Sequence, residues 1–66
     1  MKLHYDEQVD ALYLRFDDST IIESEEVKEG IILDYNAKDQ VVGIEILGIS
    51  KRIPLPELKK IQFELA

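Results

Sequence analysis

Apolar and polar positions alternate with period two along much of the chain. In "KLHYD", Leu3 and Tyr5 fall on one side and Lys2 and His4 on the other. In "ALYLRF", Leu12, Leu14 and Phe16 oppose Tyr13 and Arg15. Such alternation, rich in aromatic and branched residues, predicts strands. The stretch between them, "DEQVD", has turn character, and Asp6 is placed to accept a backbone N–H two residues on. Pairing Tyr5 with Leu12 and Leu3 with Leu14 gathers the apolar residues on one face. It sets His4 opposite Tyr13 and Lys2 opposite Arg15. A slip of one residue would bury His4 and Lys2, which opposes any other register.

Further along, "DDST" reads as a turn and "TIIESEEV" as a third strand, acidic and edge-like. Gly30 interrupts the pattern before "IILDY" and predicts a bend or bulge. "NAKDQ" is the next turn and "VVGIEIL" the most strand-like run. Asp39 stands where a type I turn followed by a bulge needs a left-handed residue; glycine suits that position best, and Asp or Asn is tolerated. Pairing Ile31 with Ile44 and Leu33 with Val42 puts Asp34 and Glu45 together on the opposite side.

The last stretch carries two patterns. Leu55, Leu58, Ile61 and Leu65 have helical spacing, and Pro56-Glu57 suits a helix start. Yet "KIQFEL" alternates through Ile61, Phe63 and Leu65. A short helix near Leu55 to Lys60 followed by a strand over Ile61 to Leu65 satisfies both, whereas one continuous helix leaves Phe63 off the apolar stripe. The expectation is a single domain over residues 1–66, of β-rich α+β class. It is an antiparallel meander of four to five strands with one short C-terminal helix.

Size narrows the options. A chain of 66 residues buries only about 60 % of its unfolded surface, so small domains add disulfides, a metal or a partner. There is no cysteine and only one histidine, which removes disulfides and leaves too few ligands for a zinc site. A partner subunit remains, and a homo-oligomer, most simply a dimer, is expected. No apolar run approaches the ~20 residues of a membrane span, and the start lacks the apolar core of a signal peptide. A cytoplasmic protein that does not bind membranes is the expectation.

The net charge of −6 argues against nucleic-acid binding, which needs a basic footprint. The charge is uneven: 4 basic against 12 acidic residues up to Ile49, and 4 against 2 from Ser50 onward. An acidic body with a basic tail suits a basic protein partner, or a second copy.

Three constellations could carry chemistry. His4, Asp6 and Asp10 are too few for a common metal geometry, and His4 points along a strand away from the turn. Asp34, Asn36 and Glu45 occupy positions 1, 3 and 12 of an EF-hand loop, but Lys38 and Asp39 stand at positions 5 and 6 and no helices flank them. Asp34 and Glu45 could act as acid and base only if they shared a cleft; otherwise they are solvated sheet carboxylates. No nucleophile triad or phosphate loop is present. No catalytic, cofactor-binding or metal-binding residue is therefore assigned, and no cofactor is expected. Tyr13, Leu47, Ile32 and Val41 make the outer face more apolar than a small monomer needs. Tyr13, Arg15, Asp34, Glu45 and Leu47 are the candidate partner-facing residues.

"YDEQVDALYLRF" followed by "EEVKEGIILDYNAKDQVVGIEIL" and "SKR" resembles a small prokaryotic family known only as a domain of unknown function. The residues that carry the likeness are Tyr5, Asp6, Asp10, Leu12 and Tyr13, then Asp34 and Tyr35, Val42 to Leu47, and Ser50 to Arg52. Asn36 and Asp39 depart from it, where the family often has aspartate and glycine. The resemblance implies a small antiparallel sheet with little helix, brings no catalytic residues, and hints at an antitoxin-like role. The expected function is a non-enzymatic protein-binding module, antitoxin-like, for a basic protein. The alternatives are a structural homo-oligomer without ligand and a minor enzyme using Asp34 and Glu45.

Overall fold

The computed structural model describes residues 1–66. Strands β1 (Lys2–Asp6), β2 (Ala11–Arg15), β3 (Glu23–Lys28), β4 (Ile31–Tyr35) and β5 (Val41–Leu47) form one antiparallel sheet. A 3-10 turn (Ile49–Lys51) and a single helix, α1 (Leu55–Leu58), follow.

The β1–β2 register pairs Leu3 with Leu14, His4 with Tyr13 and Tyr5 with Leu12, as the alternation requires. The β4–β5 hairpin differs from expectation by two residues: Ile31 pairs with Ile46 and Leu33 with Ile44. A shift by two keeps every side chain on its face, so alternation cannot detect it. The one-residue register shift between Asp34 and Tyr35 takes up half of the difference before the turn. Asp39 adopts φ 60, the left-handed conformation its position calls for. Gly30 sits in the β3–β4 turn at φ 77, and the bulge lies just before it, between Glu26 and Lys28.

The strand order is β1-β2-β5-β4-β3, which is not a plain meander. The β3–β4–β5 part does meander, and the β1–β2 hairpin joins it through β2 and β5. This order puts the most apolar strand, β5, at the centre and the acidic β3, exposed along its length, at the edge. Residues 16–22 make the crossing. The Arg15 guanidinium donates to the carbonyls of Asp17 and Ser19, and the Ile22 N–H donates to Tyr35 O at 2.8 Å.

Residues 61–66 form neither the expected strand nor a continued helix. They are irregular and exposed and make no backbone hydrogen bond. Alternation marks a two-faced segment but does not supply an edge for it to pair with.

Cross-strand partners share a face of the sheet. The rows Leu3–Leu14–Ile44–Leu33 and Tyr5–Leu12–Ile46–Ile31 therefore make an apolar face. Helix α1 covers one end of it, forming a groove of about 250 Å³ with Leu3, Tyr5 and Leu12, and Leu58 is buried there. The buried apolar core is small and consists of Ala11, Val42, Ile49 and Leu58. A sheet with one four-residue helix over it is a layer without its usual second layer.

Candidate functional site

The other face carries a polar network. Tyr13 on β2 lies beside Glu45 on β5, while Asp34 on β4 lies beside Gly43. The Tyr13 hydroxyl passes over Gly43 and donates to Asp34 Oδ2 at 2.9 Å. On the far side, the Ser24 hydroxyl donates to Asp34 Oδ1 at 2.6 Å. Asp34 is the buried polar residue of the fold, 7 % exposed. A Cβ on Gly43 would lie 2.8 Å from the Tyr13 oxygen and 2.9 Å from Asp34 Oδ2. Gly43 thus opens the gap through which two strands that are not neighbours share a hydrogen bond. Burial, and then the bond to Asp34, push the Tyr13 phenol above its ordinary pKa. His4, Asp6, Val9, Ala11 and Glu45 join Tyr13 and Asp34 around a shallow depression of about 330 Å³.

A second network clasps the 3-10 turn to the first hairpin. Asp10 ends the hairpin turn at φ 54. Its carboxylate accepts the Ser50 hydroxyl at 2.6 Å, the Ser50 N–H at 3.1 Å and the Tyr5 hydroxyl at 3.0 Å. Its carbonyl accepts the Ile49 N–H at 3.1 Å. The Ser50 hydroxyl is the chief cause holding the Asp10 carboxyl below the usual range, and the bond to Asp10 raises the Tyr5 phenol. Asp6 turns the hairpin by accepting the Gln8 N–H at 3.0 Å. Arg52 reaches back over Gly30 and donates to Glu29 O at 2.8 Å.

The five candidate residues Tyr13, Arg15, Asp34, Glu45 and Leu47 share this face. Their states differ. Tyr13 and Asp34 are bonded to each other, Arg15 is engaged with the crossing segment, Glu45 is half-buried, and Leu47 is exposed. Asp34 and Glu45 sit diagonally across the β4–β5 pair, and both oxygens of Asp34 are already occupied by donors. His4, Asp6 and Asp10 do not converge, since Asp6 and Asp10 serve the turn and the clasp, and no three acidic or histidine side chains group as metal ligands. The EF-hand spacing lies on a hairpin. Neither the Ser24–Asp34 pair nor the Ser50–Asp10 pair is visible in the sequence, because only the folded chain brings them together. The one available signal was a glycine inside a strand, which marks a close approach.

Residues 2–50 match the family model described as "Protein of unknown function (DUF2283)". The chain belongs to this family. The span matched runs from β1 into the 3-10 turn, so the DUF2283 unit holds the sheet, the Tyr13–Asp34–Ser24 network and the Asp10–Ser50 clasp. Helix α1 and residues 61–66 lie beyond it. No curated protein and no solved structure matches the chain. No helix is long and apolar enough to cross a membrane.

Proposed function

We propose that this DUF2283 chain is a non-enzymatic protein-binding module that offers the apolar face of its sheet to another protein. The observation that carries this reading is the missing second layer: the central residues Ile44 and Ile46 are only half-buried, and the buried apolar core is confined to Ala11, Val42, Ile49 and Leu58. Large uncovered apolar surface rimmed by polar residues marks an interaction site. The polar groups support the same reading, because Tyr13, Ser24 and Asp34 on the other face, and Asp10 and Ser50 in the clasp, spend their hydrogen bonds on holding the fold together.

The edge strand adds a charge preference. Glu23, Glu25, Glu26 and Glu29 are exposed, and the one ion pair in the fold joins Lys60 to Glu57 instead. An uncompensated acidic edge suits a basic partner and an antitoxin-like role. The test is capture of host proteins on the intact chain, compared with Leu33→Glu and with Glu23→Lys/Glu25→Lys, each checked for retained sheet by circular dichroism. A basic protein lost from both variants supports the reading. Capture that ignores both changes, or no capture by a chain that also stays monomeric, counts against it.

A further inference from the structure

We infer that the apolar face is covered by a second copy of this chain, with Ile61–Leu65 of each copy laid across the sheet of the other. The inference rests on the reading of that face as a protein-binding surface and names its occupant.

The accessible surface is 5340 Å² for a chain of 7.6 kDa. A folded monomer of that mass exposes about 4,300 Å². The excess of about 1,000 Å² per chain is close to the roughly 800 Å² that each partner buries in a standard interface.

Ile61, Phe63 and Leu65 are 54 %, 85 % and 86 % exposed. They alternate with Gln62 and Glu64, so the segment presents one apolar side once it is laid out as a strand. Such a side fits an apolar sheet face, and nothing in its own chain takes Phe63 or Leu65. Ile61 lines the groove with Leu3, Tyr5, Leu12 and Leu58, so the segment leaves its own chain at the face that a two-fold partner would share.

Charge complements the apolar fit. Lys59 and Lys60 immediately precede the segment. Glu23 and Glu25 border the apolar face, as the partners of Tyr35 and Leu33. In a two-fold pair the basic start of each arm can meet the acidic border of the other sheet. This steers docking and sets register more than it adds affinity.

The test is sedimentation velocity of the full chain at tens of micromolar, with Phe63→Glu/Leu65→Glu as the variant. Both side chains are exposed in the single chain, so the substitutions disturb nothing there. The wild type is expected to sediment as a dimer. The variant should dissociate about a hundredfold or more readily, with an unchanged circular dichroism spectrum in dilute solution. A wild-type monomer overturns the inference, and so does a dimer indifferent to the two substitutions. A wild-type monomer that still captures a host protein through Leu33 overturns only the second copy. One that captures nothing removes the binding-module reading as well.

Discussion

The Tyr13 hydroxyl reaches the buried carboxylate of Asp34 at 2.9 Å from a strand that is not its neighbour, over the backbone of Gly43. The two residues join β2 and β4 across β5, so the bond ties the β1–β2 hairpin to the rest of the sheet. Removing the hydroxyl leaves a buried carboxylate short of a donor. Tyr13→Phe is expected to lower the unfolding free energy by about 1.5–3 kcal/mol. Urea denaturation measures it.

Gly43→Ala pushes a methyl group against the same two oxygens. The expected cost is about 1–3 kcal/mol, as for overpacking in a core. The costs of the two changes should not add: in the Tyr13→Phe background the alanine loses one of its clashes, so a double-mutant cycle gives a coupling of about 0.5 kcal/mol or more. Strict additivity would mean that the glycine serves the backbone alone.

Asp10 and Asp39 have nearly the same left-handed backbone, at φ 54 and φ 60, and opposite substitution behaviour is expected. Asp39 is exposed and its side chain holds nothing, so Asp39→Gly relieves strain and should stabilise by about 0.5–1 kcal/mol. Asp10→Gly relieves the same strain but releases Ser50 and Tyr5, and should destabilise. Thermal melts of both variants, compared with the wild type, decide the matter.

All three tyrosines should ionise later in the folded chain than in urea. The cause is first the bond to Asp10 for Tyr5, and first burial for Tyr13 and Tyr35. A raised folded pKa contributes stability that is complete below the unfolded value of about 10 and lost as pH rises through the folded value. Asp10 works in the opposite window. Its lowered pKa contributes stability above the ordinary carboxyl range, lost as pH falls through the folded value. Ultraviolet titration of the phenolates checks the alkaline limb. Acid unfolding of Asp10→Asn, which should have a weaker pH dependence than the wild type, checks the other.

Removal of residues 63–66 should leave the stability of the dilute chain within about 0.5 kcal/mol, since these residues are exposed and bonded to nothing. This reverses the expectation for a final strand, whose loss would unzip an edge. Denaturation of the truncated chain at low concentration distinguishes the two.

The parts legible in the sequence were the local ones. The β1–β2 register followed from a period of two and from the cost of burying Lys2 and His4. The turn at Asp6 and the left-handed Asp39 followed from side-chain and backbone chemistry within a few residues. Tertiary structure decided the rest. Alternation gives a strand two faces but no neighbour, so β5 could be placed between β2 and β4, and Ile61–Leu65 left unpaired, only by the whole chain. A shift of two residues in the β4–β5 pair preserved every face and was invisible for that reason. The Tyr13–Asp34 bond needs β5 between its partners, and the Asp10–Ser50 clasp joins residues 40 apart. Both depend on the strand order, which is set by placing the most apolar strand at the centre and the acidic one at the edge.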